Sequence, residues 1–153
     1  MRTAVLNKTI TQNLYIITEG LSDAQILRTI LNCECFSNVY NVVANGYNEI
    51  PSVSRTVRLN MALHDKMLIV FDSDTYNKET IYDKISTMKF LTNSDSNNEQ
   101  TGIFCMVPTL DEVIGLSQQF KGDKEALRDY LRKHQFRLKN LKIIKDIQSF
   151  INP

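Results

Sequence analysis

The chain has 153 residues, 42% of them hydrophobic and 23% charged, with a formal net charge of +1. That profile fits one folded globular domain able to bury a core. No apolar run approaches the roughly 18–20 residues of a membrane span, and the start, "MRTAVLNKTITQNLYII", lacks the apolar stretch and cleavage site of a secretory leader. The expectation is a cytoplasmic protein with no membrane partner. Cys33, Cys35 and Cys105, with only His64 and His134 beside them, read as buried free thiols of a reducing compartment rather than as a zinc site.

Apolar runs and helical patterns alternate along the chain. "NLYIIT" (13–18) predicts a buried strand closed by Glu19-Gly20. Ser22 with Gln25 forms a capping-box pattern that opens a helix over about 23–31, with Leu27, Ile30 and Leu31 on one face. "NVYNVVAN" (38–45) predicts a second strand ending in the turn signal Asn45-Gly46. Pro51 suits the first turn of the next helix, on which Val53, Val57 and Met61 recur every fourth residue. "KMLIVF" (66–71) is the third strand, and a helix over about 78–91 follows with Ile81, Ile85 and Met88 inward. After the polar stretch "NSDSNNEQTG" (93–102), "IFCMV" (103–107) predicts a fourth strand stopped by Pro108. A helix begins near Leu110 and a basic one covers about 124–134; "LKIIKDIQSFI" is compatible with strand or helix. Strands this uniformly apolar, separated by helices, predict an α/β fold with an open, mostly parallel sheet of about four strands buried on both faces. The chain reads as a single domain over 1–153, with a core over about 13–116 and a basic C-terminal helical extension over about 120–153.

Charge is unevenly spread. Between Lys121 and Lys145 nine Lys/Arg face three acids, a local +6, so the remainder carries −5. A basic segment on an acidic body suits a polyanionic partner, although a solvated helix face has the same composition. Lys124, Arg128 and Arg132 share a helical face suited to phosphates, and Lys139, Lys142 and Lys145 follow.

In a parallel α/β sheet the loops leaving the strands gather at one edge. Glu19, Asp72 and Asp74 leave the first and third strands there, and Asp23 lies just beyond the first. Gathered carboxylates repel one another unless a cation offsets them, and hard divalent ions, Mg2+ or Mn2+, take oxygen ligands. Gly20 and Gly46 would let the backbone turn sharply or a phosphate approach. The same acids could instead cap the helices that follow.

The stretches "LYIITEGLSDAQILRTIL", "VVANGYNEI" and "MLIVFDSDT", in this order, resemble the Toprim domain. That Rossmannoid catalytic fold is shared by topoisomerases, DnaG-type primases, RecR proteins, ribosomal-RNA maturases and the overcoming-lysogenization-defect (OLD) nucleases. The resemblance spans about residues 14–116. It implies that Glu19 is the family glutamate, Gly46 the glycine after the second strand, and Asp72 and Asp74 the D-x-D pair. It also implies Mg2+- or Mn2+-dependent phosphoryl chemistry on nucleic acid, DNA ahead of RNA. "EGLSDAQIL" is similar to the OLD-type pattern, in which Asp23 would support a second metal. "VPTLDEVIGL" is similar to the segment that supplies a late glutamate there, matching Glu112, with Asp111 as competitor. Tyr76 stands where some members carry a third acid, which departs from the topoisomerase pattern.

The implied activity is a metal-dependent nuclease hydrolysing phosphodiesters. Glu19, Asp72 and Asp74 hold one ion, Asp23 and Glu112 a second, and a lysine from among Lys139, Lys142 and Lys145 steadies the transition state. OLD-type domains usually follow an ATPase in one chain. With no Walker A sequence here, the resemblance points to a separate ATPase or sensor protein, to an anti-phage defence effector, and to a chain compatible with oligomers. The alternative is a non-catalytic or regulatory Toprim subunit binding nucleic acid or protein. A weaker rival is a haloacid-dehalogenase-like phosphatase, which shares the D-x-D of "DSDT", but that motif belongs on a first strand and needs a later acidic pair.

Overall fold

The computed structural model describes residues 11–94, 99–116 and 123–153. Its centre is a sheet of β1 (Asn13–Thr18), β2 (Asn38–Val43), β3 (Lys66–Asp72) and β4 (Thr101–Met106), all parallel in the order β2–β1–β3–β4. The helices are α1 (Leu21–Ile30), α2 (Ile50–Asn60), α3 (Lys78–Leu91), α4 (Leu110–Val113), α5 (Lys124–Lys133), α6 (Gln135–Lys139) and α7 (Lys142–Ile151). The four-stranded parallel sheet flanked by helices is the expected α/β architecture.

The strand order explains the layers. From β1 the chain moves outward to β2, then returns across β1 to β3 and on to β4. Parallel crossovers are right-handed, so reversing direction moves the connecting helix to the other face. Accordingly Ile26, Leu27 and Ile30 of α1 pack with Leu14, Ile16, Leu68 and Val70 on one face. Val57 of α2 and Met88 of α3 pack with Ile17, Met67, Ile69 and Phe71 on the other. The reversal falls between β1 and β3, paired neighbours, and such a switch point is where α/β sheets receive ligands, beyond the carboxyl ends of the strands.

Local chemistry sets the boundaries. Pro51 occupies the first turn of α2, where its missing N–H costs nothing. The Asn77 side chain accepts from the Thr80 N–H at 3.0 Å and starts α3, and the Asp123 side chain does the same for α5 through Ala126.

Three expectations are revised. Helix α1 begins at Leu21 with Gly20 as N-cap and no side-chain cap, so Ser22 lies inside the first turn and makes no capping box. Gly20 is extended (φ −136°, ψ 165°), a conformation open to any residue, and is no sharp turn. Strand β2 is not buried on both faces: it is the sheet's edge, with Asn38, Tyr40 and Asn41 exposed.

The ambiguous last segment is helix α7. Leu131, Leu138, Ile144, Ile147 and Ile151 belong to the same apolar layer as α1, each burial contributing about 1.5–3 kcal/mol. Gln148 Nε2 donates to the Asn32 carbonyl and Gln148 Oε1 accepts the Asn32 N–H, both at 2.9 Å, clamping α7 to the end of α1. Phe150 lies directly over Gly102 of β4, where a Cβ would come within 2.8 Å of its ring. The basic extension thus completes one face of the core while its described cations, from Lys124 onward, stay at the surface.

Candidate metal centre

Glu19 follows β1, Asp72 ends β3, and Asp23 sits in the first turn of α1. One carboxylate oxygen from each lies within 4.8 Å of the other two, making the grouping Glu19–Asp23–Asp72. Residues 53 positions apart meet because β1 and β3 are hydrogen-bonded neighbours whose exits share a rim. The rim is held by backbone. The Asn45 and Gly46 N–H groups donate to the Glu19 carbonyl at 3.0 and 3.3 Å, tying the exits of β1 and β2 together. Gly46 has φ 128°, a region that only glycine enters freely.

The D-S-D turn is fixed as firmly. Ser73, 1% exposed, donates its N–H to the Met106 carbonyl at 2.9 Å and its hydroxyl to the Thr75 carbonyl at 2.7 Å. The Asp74 N–H donates to the Pro108 carbonyl at 2.8 Å, with Asp74 itself at φ 57°. The pair caps nothing in the following helix, whose cap is Asn77. Asp72 instead reaches across the sheet, where its Oδ1 accepts the Leu110 N–H of α4 at 2.9 Å.

Electrostatics follow from this crowding. Burial pushes the Asp72 carboxyl up to about 7, opposed by the Leu110 N–H and reinforced by Asp23, Glu19 and Asp74. Burial also raises Glu19, with Asp74 and Asp23 adding to it; the Asp72 backbone hydrogen bond and the Lys84 ammonium pull the other way. Four acids therefore feel one another, and a bound cation would relieve them. The donor set is oxygen only and carries at least three carboxylates, which fits Mg2+ or Mn2+ and not a soft thiolate-seeking metal. Cys105, whose thiol burial pushes up to about 11, keeps its proton.

The other expected residues are distributed as follows. Asp74 lies outside the 4.8 Å grouping but within its field. Glu112 accepts the Tyr76 hydroxyl at 2.9 Å on the exposed rim. Its competitor Asp111 lines a cavity of about 510 Å³ together with Asp23 and Asp72. Lys124 lines that cavity, and Lys124 and Arg128 line the adjoining groove. Arg132 is exposed on α5 and lines neither. Lys142 pairs with Asp146 at 3.1 Å beside Cys105 and Val107, in a different cavity. Lys139 and Lys145 line yet another, with Asn32 and Gln148. The three late lysines thus line cavities other than the one that holds Asp23 and Asp72. Lys121 lies outside the described residues.

Sequence reasoning missed Lys84. Its Nζ donates to the Ser73 carbonyl at 2.8 Å and lies 5.1 Å from the Tyr47 ring centroid, while the Tyr47 hydroxyl donates to the Lys84 carbonyl at 3.3 Å. A signal existed: Ile81, Lys84, Ile85 and Met88 stand at i, i+3, i+4 and i+7, which places a cation in an otherwise apolar stripe.

Compared with known proteins, the chain matches no family model and no curated sequence. Its geometry must therefore carry the functional reading.

Proposed function

We propose that the protein is a divalent-metal-dependent nuclease of Toprim type, hydrolysing phosphodiesters of nucleic acid with Mg2+ or Mn2+ held at the β1–β3 rim. The observation that carries this reading is the convergence of Glu19, Asp23 and Asp72, from two strands and a helix, within 4.8 Å. Carboxylates this close weaken the fold unless a cation is meant to sit among them.

Glu19, Asp23 and Asp72 would hold the ion, with Asp74 adding negative charge at the edge. Held by these residues, such an ion would supply charge neutralisation at a scissile phosphate and a more acidic water for in-line attack. The chain's own part is orientation. The Leu110 N–H fixes the Asp72 side chain through Oδ1. Lys84 holds the Ser73 carbonyl and so fixes the turn between the two aspartates. Lys124, at the margin of the cavity, takes a neighbouring phosphate. A D-x-D on the third of four parallel strands, with β4 running into Val107-Pro108 rather than an acidic pair, favours this over the phosphatase.

The test is cleavage of supercoiled plasmid DNA and of structured RNA with Mn2+, against the same reactions in chelator. Glu19→Gln and Asp72→Asn should each lower the rate at least about a hundredfold, the scale of losing a preorganised electrostatic partner. Undiminished cleavage by both variants would remove the mechanism. Inactivity of the wild type on every substrate would favour a regulatory subunit that needs a separate ATPase or sensor.

A further inference from the structure

Two cavities adjoin along the seam where α1 packs against α5. The first, about 510 Å³, is lined by the acids Asp23, Asp72, Asp111 and Asp123, with Leu21, Ile26, Leu116 and Leu127 as apolar walls. The second, about 270 Å³, is lined by Arg28, Lys124 and Arg128 with the polar Gln25, Thr29 and Asn41. Gln25, Lys124 and Leu127 border both, so the two form one continuous track. Along α1 the chemistry changes from Asp23 through Ile26 to Arg28. Five residues at 1.5 Å each cover about 7.5 Å, the scale of one step along an extended nucleic-acid strand.

With a divalent ion held by the acids, the order acid, apolar, basic along α1 would offer a place in turn to a strand's phosphate, base and next phosphate. The first cavity is large enough for a nucleoside and mostly apolar, as ligand pockets are. A base lodged there must be out of its stack, and a duplex must first break pairing and stacking to supply one. Basic residues alone would accept either form, because phosphate contacts carry no such discrimination. The apolar segment between the two charges is what selects.

Building on the nuclease reading, we infer that the α1–α5 seam is a binding track for single-stranded nucleic acid: one unstacked base sits between Leu21 and Leu127, and the next phosphates lie on Arg28, Lys124 and Arg128. Arg28, whose Nη1 donates to the Val39 carbonyl at 3.3 Å, is a binding residue that the basic C-terminal segment alone does not suggest. The substrate class is therefore an unpaired strand, a loop or a frayed end.

The test is fluorescence anisotropy of a labelled oligonucleotide of about 12 nucleotides, within the usual site size of single-strand binders. It is measured single-stranded and as a blunt duplex, with Ca2+ present to satisfy the acids. The single strand should bind about tenfold tighter or better. Leu21→Asp and Arg28→Glu should each weaken it about tenfold. Leu21 is 54% exposed and opens α1, where an aspartate suits the helix, so that variant should fold. Arg28→Glu should also make the slope of log affinity against log salt shallower by about 0.7. Equal affinity for both forms, or wild-type affinity in both variants, would overturn the track. Mn2+-dependent plasmid cleavage with no strand preference sinks the track and leaves the nuclease standing. Single-strand preference lost in both variants, with no cleavage of any substrate, keeps the track and removes the nuclease.

Discussion

Asp65 and Asp72 bracket the same strand and serve opposite ends. Asp65, 2% exposed, precedes β3; its Oδ1 accepts the Asn13 N–H at 2.9 Å and its Oδ2 the Ala62 N–H at 2.8 Å. Both of its oxygens are used to join the start of β1 to the loop before β3. Asp72 closes β3 with one such donor, Leu110, and with Glu19, Asp23 and Asp74 around it. One carboxylate is surrounded by donors and builds the fold. The other is surrounded by its own kind, and the fold holds it there at a cost that a ligand can recover.

Matched isosteric substitutions break the comparison most sharply. Asp65→Asn turns an NH2 group toward one of the two backbone donors and should destabilise by about 3 kcal/mol, since an unsatisfied buried N–H costs about 1–3 and the charge-assisted bond is lost as well. At this chain length that lowers the melting temperature by roughly 6–12 °C. Asp72→Asn can keep the Leu110 hydrogen bond while removing a crowded charge. It should melt at or above the wild-type temperature, while losing cleavage. Thermal denaturation of the two variants side by side is the measurement; equal destabilisation would mean that Asp72 is structural too.

A divalent ion should sharpen the same contrast. With Mn2+ at a hundred times its dissociation constant, the wild type should gain about 2.7 kcal/mol and Asp72→Asn far less. The pH dependence has a definite sign. Asp72 titrates at about 7 in the folded protein against an ordinary 3.8. Between those values the folded chain holds a proton that the unfolded chain has released, so stability without metal falls as pH rises from about 4 to about 7. Below that window both states are protonated and the full stability is present. Mn2+ must displace the proton, so its stabilising effect grows across the same interval. Melting curves at pH 5 and pH 8, with and without Mn2+, read both slopes, and Asp72→Asn should flatten them.

The two aspartates also show what the chain discloses by itself. Continuous apolar runs followed by Glu-Gly and by Asp-Ser-Asp place Glu19 and Asp72 at strand exits, because alternation and turn residues are local signals. Which strands are neighbours is not local, yet the rule that parallel exits share an edge was enough to bring those acids together. Finer placement escaped. Periodicity marks Asp111 and Glu112 equally as first-turn acids, and only the docking of α4 turns Asp111 toward the cavity. Composition reports the charge of the α7 lysines and says nothing of which cavity each of them lines. The exposure of β2 was invisible for a related reason: an edge strand and a central one can carry the same valines. Asp65 gave no warning at all, since a lone aspartate before a strand resembles any turn residue.

The smallest predicted effect separates two glycines on this rim. A Cβ at either Gly20 or Gly46 meets nothing within 4 Å, so neither is needed for space. Only backbone conformation distinguishes them. Gly46, at φ 128° and ψ 154°, occupies a region that side chains rarely enter, and Gly46→Ala should cost about 2 kcal/mol. It should also disturb the N–H that reaches the Glu19 carbonyl, and therefore weaken Mn2+ stabilisation beyond the loss of fold stability. Gly20 is already extended, so Gly20→Ala loses a modest N-cap preference and restricts the unfolded chain, two opposing effects that leave a net change under about 0.5 kcal/mol. Urea denaturation of both variants reads the difference. A Gly20 variant as unstable as the Gly46 one would mean that the β1 exit is strained in a way its dihedrals do not contain, and the rim would then owe its shape to more than the backbone bonds between Glu19, Asn45 and Gly46.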